Sequence, residues 1–238
     1  MSSQPNATAT NASFEFQALA EAVNYRRALM SEFGPFLRGS VLEVGAGIGQ
    51  TTSQIAQLQA VTTLYGVEPD HDLAAEFRRQ LPAIPLTEGT VADFSVPAVD
   101  AIISVNVLEH IEDDFAELQR YQRLLVSRAG CLCLFVPARQ EIYAPLDRDF
   151  GHFRRYAKPA LAALLAKAGY KVEHLHYFNF TGYFAWWLSF RLLGKRSFDA
   201  RAVRFYDRVI FPLVHTMESK VCRPPIGQSL LAIARAIP

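Results

Sequence analysis

The sequence is poor in cysteine: Cys131, Cys133 and Cys222 are the three thiols in 238 residues. Three thiols cannot build a disulfide framework, which predicts a reducing, cytoplasmic setting. Cys131 and Cys133 alternate along one predicted strand, so they read as core residues, and no metal site is expected. Charge of one sign is lacking too. The formal net charge is +1, which argues against a dedicated nucleic-acid binder. Long apolar runs are missing. Residues 174–190 carry no charge, but these 17 positions include Asn, Gly and two His, short of the roughly 20 apolar residues that a membrane span needs. The first residues show no basic stretch leading into an apolar one, so no secretory leader is expected; residues 1–13 are small and polar and read as disordered.

The charge is unevenly spread. Residues 1–190 hold 15 Lys+Arg and 20 Asp+Glu, whereas residues 191–238 hold 9 and 3. A basic tail suits an anionic partner, and it equally suits a solvated helix surface. Half the residues are hydrophobic, enough for one domain with a large core and an elaboration.

The most telling stretch is Val41-Leu42-Glu43-Val44-Gly45-Ala46-Gly47-Ile48-Gly49. An apolar strand, three glycines at alternate positions and a helical pattern over Gln50–Gln59 make a nucleotide-binding arrangement. Glycine lets the chain turn tightly and lets a ligand approach the backbone. The dinucleotide fingerprint needs a glycine where this chain has Gln50, which disfavours NAD. Val61–Val67 reads as the second strand, with Glu68 at its end, 23 residues after Gly45, followed by Pro69 and Asp70. A carboxylate there can accept both ribose hydroxyl hydrogens. Asp70 or Asp72 can cap the next helix, leaving Glu68 for a ligand.

The E-x-G-x-G-x-G spacing resembles motif I of the class I S-adenosylmethionine-dependent methyltransferases. The segment Asn106-Val107-Leu108-Glu109-His110-Ile111 resembles the motif that this family carries after strand four. A third segment, Leu146-Asp147-x-x-x-Gly151-His152-x-Arg154-Arg155-Tyr156, is similar to one in its UbiG-like members (type 11/12 group). The resemblance covers residues 24–176 well and 229–236 weakly. It implies a Rossmann-like, doubly wound α/β fold: a seven-stranded, mostly parallel sheet with an antiparallel last strand between strands five and six. It implies S-adenosylmethionine as cofactor, held by Tyr25, Arg26, Glu43, Gly45, Ala46, Gly47, Gly49, Glu68, Pro69, Ala92, Asp93, Asn106, Val107 and Leu108. Glu43 would serve the amino-acid end, directly or through water, and Asp93 the adenine amino group.

Strands are predicted over Ile84–Leu86, Ala98–Val105, Gly130–Val136 and Lys171–His176. Helices are predicted over Phe14–Phe33, Leu73–Leu81, Asp113–Ser127 and Lys158–Ala168. His110, His152 and Tyr156 are the candidate catalytic groups. Tyr143, Asp147, His152, Arg155 and Tyr156 are the candidate acceptor contacts. A plainer reading has Asp147 or Asp149 pairing with Arg155 to pin a loop, and the two readings can coexist.

The expected domain layout is a core over 14–176, an aromatic and basic helical insertion over 177–228, and the last strand in 229–238. Within the insertion, Phe198–Lys220 reads as one amphipathic helix. It can roof an acceptor pocket, join two copies, or lie on a membrane. The function implied is methyl transfer to an O or N atom of a small-molecule or lipid/glycan-type acceptor. A non-catalytic S-adenosylmethionine-binding scaffold and an NAD-dependent oxidoreductase stay open as alternatives.

Overall fold

The computed structural model describes residues 22–220 and 223–238. The expectation for residues 1–13, the start of the first helix and Cys222 lie outside the described residues. The elements run α1 (Val23–Phe33), β1 (Gly39–Val44), α2 (Gln50–Ile55), β2 (Val61–Glu68), α3 (His71–Gln80), β3 (Leu86–Glu88), β4 (Ala101–Val105), α4 (Asp114–Leu125), β5 (Cys131–Pro137), α5 (Pro145–Asp149), α6 (Lys158–Lys167) and β6 (Tyr170–Phe178). Then come α7 (Phe180–Trp186) with a π-helical continuation (Trp187–Leu192), α8 (Ala200–Phe205), a π-helical stretch (Tyr206–Ile210), α9 (Phe211–Lys220) and β7 (Ser229–Ala236).

The seven strands form one sheet in the order β3-β2-β1-β4-β5-β7-β6. Strand β7 runs antiparallel between β5 and β6, and the neighbours from β3 to β5 are parallel. This is the fold that the resemblance implies. Alternation along the strands builds two apolar layers. Leu42, Ile102, Leu132 and Leu134 meet α4 and α6 on one face. Val41, Ile103, Cys133 and Phe135 meet α1, α2 and α9 on the other. A strand covered on both faces has no polar side, which is why these segments read as near-continuous apolar runs. Cys131 and Cys133 are buried in the second layer.

Several boundaries differ from expectation. Helix α2 ends at Ile55, because Gln57 and Leu58 donate to Gln54 and Ile55 in tight three-residue turns. Strand β3 starts at Leu86 rather than Ile84, whose N–H instead closes a turn on Leu81. Strand β6 runs past His176 to Phe178, paired with β7 at both ends and bulged once at Glu173. The predicted helix over Phe198–Lys220 begins at Ala200, where Asp199 caps it, and widens into π geometry midway. Asp70 caps α3 through the N–H groups of Asp72 and Leu73, so the cap does not fall to Glu68.

The insertion is tied to the core by buried polar groups. Asp207 accepts from the N–H groups of Asn24 and Tyr25, at the start of α1. Glu218 accepts from the N–H groups of Asn179 and Phe180. Both carboxylates satisfy donors that a helix start leaves without intrahelical partners.

Candidate functional site

The carboxyl ends of β1, β2, β4 and β5 converge, as expected of an open α/β sheet. At β1, Gly45, Gly47 and Gly49 all take positive φ, at 72°, 54° and 88°. A Cβ on Gly45 would meet Val107 Cγ2 at 2.3 Å, so the turn and the close approach both require glycine there. At the end of β2, Glu68 is buried. Its carboxylate accepts from the Gly47 N–H at 2.8 Å and from the Asp70 N–H at 3.0 Å. Burial raises its pKa, opposed by those two N–H groups. A carboxylate offers about four acceptor positions, so two remain after the two backbone bonds. The loop and this carboxylate therefore fit a ligand that brings hydroxyl donors.

Glu43 lies deeper. Its carboxylate accepts from Thr52 Oγ1 at 2.5 Å, and burial raises its pKa to about 8. The carboxyl thus braces α2 from behind the glycine loop. Asp93 is exposed and accepts from the Thr90 N–H and hydroxyl, closing a capping box over Val91–Asp93 beside Ala92. Pro69 follows Glu68 into the cap of α3.

Asn106, at the end of β4, has φ of 53°. Positive φ is uncommon outside glycine, and asparagine tolerates it best. The 3₁₀ turn Leu108–His110 follows. Here a cavity of about 410 Å³ opens between the sheet and the insertion. Its inner end is polar: Asn106, Glu109, His152, Arg155 and Asn179. Its walls are aromatic: Tyr25, Phe150, Trp186, Phe190, Phe198 and Tyr206.

The structure brings His110 and His152 together, with ring centroids 4.6 Å apart at 83°. With Glu109 they place one ligating atom each within 4.8 Å of one another, a set whose chemistry also suits a divalent cation. His152 Nδ1 lies 3.1 Å from Asp147 Oδ1. Arg155 Nε donates to the same oxygen at 2.8 Å, and the Ala144 N–H donates to Asp147 Oδ2. Burial alone would raise the Asp147 carboxyl, but the His152 bond and the Arg155 charge hold it below the usual carboxylate range. Arg155 also lies 4.4 Å over the Trp186 ring and donates to the Ala138 carbonyl. The ion pair read from the sequence is thus Asp147–Arg155; Asp149 pairs instead with Arg196 of the insertion.

Two other expected contacts, Tyr156 and Tyr143, sit away from the cavity wall. Tyr156 is buried, and its hydroxyl donates toward the Leu108 carbonyl and Asp114; burial and the Asp114 charge raise its pKa. The Tyr143 hydroxyl donates to the His152 carbonyl. Tyr25 faces the cavity but packs its ring on Phe135, Phe178 and Phe211. Burial lowers the pKa of Arg26, opposed by the charge of Asp207. Asn179, Gln228 and Ser229 line the cavity although no motif marks them. Asn179 alone leaves a trace, as a polar residue at the junction of β6 and the insertion.

Burial, then the nearby His152, lowers the pKa of His110 from 6.5 to about 4; a bond to the Phe150 backbone opposes this. The folded state therefore favours neutral imidazole. Stability is full above pH 6.5 and declines as pH falls toward 4, by about 3 kcal/mol in total at 1.36 kcal/mol per unit. His176, lowered to about 4 by burial and then by the Arg223 charge, adds to the same window. Thermal unfolding of wild type and His110→Gln between pH 7 and pH 4 is expected to show the shallower decline in the variant. Parallel curves would exclude His110 as a source of the acid lability.

A family model for the methyltransferase domain matches residues 13–175. An uncharacterized methyltransferase of Bacillus mycoides is 35% identical over 91 residues, which is 37% of this chain and 42% of that protein. The chain thus aligns with less than half the length of the curated relatives it matches. Among solved structures, a phosphoethanolamine N-methyltransferase of Haemonchus contortus, complexed with phosphomonomethylethanolamine and S-adenosylhomocysteine, is similar with TM-score 0.61 and 14% identity, over 91% of this chain and 53% of that one. An S-adenosylmethionine-dependent methyltransferase of Clostridium acetobutylicum gives 0.59 and 8%, over 91% and 92%. At these identities the likeness is one of fold. With the family match running from before β1 into β6, over more than half of the sequence, the chain belongs to the methyltransferase-domain family.

Proposed function

We propose that this chain transfers a methyl group from S-adenosylmethionine to an O or N atom of a partly apolar acceptor seated under the insertion. One observation carries the reading. The glycine loop, held by Glu68, packs against Val107, and the adjoining Asn106 is the inner wall of the aromatic cavity. A cofactor cradle and an acceptor chamber thus share a wall, as methyl transfer requires. The cofactor, when bound, supplies a methyl on a sulfonium that any well-placed nucleophile can attack.

The residues of the chain supply placement. Glu68 has two acceptor positions left for the ribose hydroxyls. Tyr25, Phe150, Trp186 and Phe190 exclude water from the acceptor, and holding two reactants close in a dry site provides much of the rate. His152 is the group best placed to accept a proton. Its Nδ1 is oriented by Asp147, and its ring faces the cavity. Calorimetry is expected to show binding of S-adenosylhomocysteine and none of NAD; binding of NAD alone would overturn the reading.

The His152 role has its own test. With radiolabelled S-adenosylmethionine and a total lipid extract as acceptor source, His152→Gln is expected to lower transfer by about 10²–10⁴-fold, the range for general acid–base groups. Affinity for S-adenosylhomocysteine should stay near that of wild type. A variant that loses cofactor binding and stability together would make the segment a purely structural one.

A further inference from the structure

The outer face of the insertion is apolar and exposed. Phe205, Val209, Leu213 and Met217 are 60%, 46%, 69% and 64% accessible. They recur every four residues along α8, the π stretch and α9. On a regular α-helix a four-residue repeat drifts around the axis by about 40° each step. The wider π turn at Tyr206–Ile210 reduces that drift and keeps the four in one stripe. Trp187, Leu188, Leu192 and Leu193, on the preceding helical segment, are exposed as well. Apolar patches of this extent mark surfaces that meet something.

The charges around the stripe say what. Arg191, Lys195, Arg201 and Arg208 are exposed on the same stretch of chain, and among the described residues none of the four forms an ion pair. Of the carboxylates between Trp187 and Leu213, Asp207 is buried against α1 and only Asp199 is exposed. Arg201 and Arg208 thus share the stripe's own helical stretch, and Arg191 and Lys195 precede it in the chain. The stripe also runs into the cavity: Phe205 is both an exposed stripe residue and a wall residue, and Lys195, Ala202, Val203 and Ile210 line the same mouth.

We propose that this face lies on a bilayer bearing anionic headgroups, and that the cavity mouth opens onto that bilayer. The side chains of the stripe enter the acyl boundary while the cations meet the headgroups. Resting on the methyl-transfer reading above, this names the acceptor class as a membrane-resident lipid. Its headgroup enters toward Asn106 and His152, and its chains stay with the aromatic mouth and the bilayer. The aromatic walls then need not bury a whole lipid.

The full chain is centrifuged with vesicles of phosphatidylcholine alone and of an equal phosphatidylcholine–phosphatidylglycerol mixture. Binding to the mixture, weak binding to phosphatidylcholine, and a blue shift of Trp187 emission on binding are expected. The double variant Leu213→Asp/Met217→Asp alters no residue that lines the cavity. It should lose vesicle binding by at least about tenfold, with wild-type affinity for S-adenosylhomocysteine as the check on folding. Wild type that ignores both vesicles, or a variant that binds them as wild type does, overturns the proposal. So does sedimentation velocity showing a lipid-free dimer that these substitutions dissociate, which would assign the face to a second copy. Vesicle binding without any binding of S-adenosylhomocysteine would leave the surface standing and remove the methyl-transfer reading, so the two failures are distinct.

Discussion

Asp147→Ala is expected to lower stability by about 3–5 kcal/mol, the cost of removing one partner of a buried charge pair. Arg155 would keep a guanidinium that is 1% exposed with its carboxylate gone, although the Ala138 carbonyl and the Trp186 ring would remain. The Ala144 N–H and His152 Nδ1 would each lose their acceptor too. For a chain of this size the melting temperature should fall by about 6–20 °C. Denaturant titration gives the free energy directly. A pair replaced together, Asp147→Leu with Arg155→Met, should recover part of the loss, since an apolar pair leaves no buried charge. A single-variant loss below about 1 kcal/mol would mean that water reaches Arg155 and that the loop is not pinned.

Glu68→Gln should weaken S-adenosylhomocysteine binding by about 1.5–3 kcal/mol, or roughly 10- to 150-fold. The amide keeps one oxygen to accept from the backbone but cannot take both ribose hydroxyl hydrogens. Glu68→Ala is the less clean variant. The sequence reads this carboxylate as free for a ligand, so that its loss would leave the unliganded protein unchanged. In the structure it accepts from both Gly47 and Asp70, so the alanine variant strands two donors and should lower the melting temperature even without cofactor. Calorimetry on the folded glutamine variant decides; unchanged affinity would remove Glu68 from the cofactor's partners.

Much of the fold is legible because its signals are local. The glycines at 45, 47 and 49 take positive φ, the runs from Ala101 and Cys131 are apolar on both faces, and Asp70 and Asp113 are caps whose donors lie two or three residues away. The site is legible where a motif names residues close in sequence. The bond from Asp147 to Arg155 spans eight residues and is one of the two pairings that the sequence offers. What is illegible depends on distant partners. Tyr156 reads as an acceptor contact because it follows His152 and Arg155, but its hydroxyl turns to Asp114, 42 residues away. Asp199 and Asp207 look alike as isolated acids among arginines, yet one caps its own helix and the other reaches α1. No period or spacing carries that difference.

The place of β7 has a consequence for how the protein is made. Strand β6 pairs with β7 and with no other strand among the described residues, and β7 also holds the edge of β5. During synthesis β6 therefore leaves the ribosome with its ladder unfilled, and it waits for the whole insertion to follow. Ser229 and Gln228, at the start of β7, close the cavity wall, and Asn24 waits for Asp207 across 183 residues. Glycine loop and glutamate can assemble early, while the aromatic cavity is finished only once β7 has been translated. On the reading proposed above, a nascent chain thus acquires the means to hold a cofactor well before it can seat an acceptor.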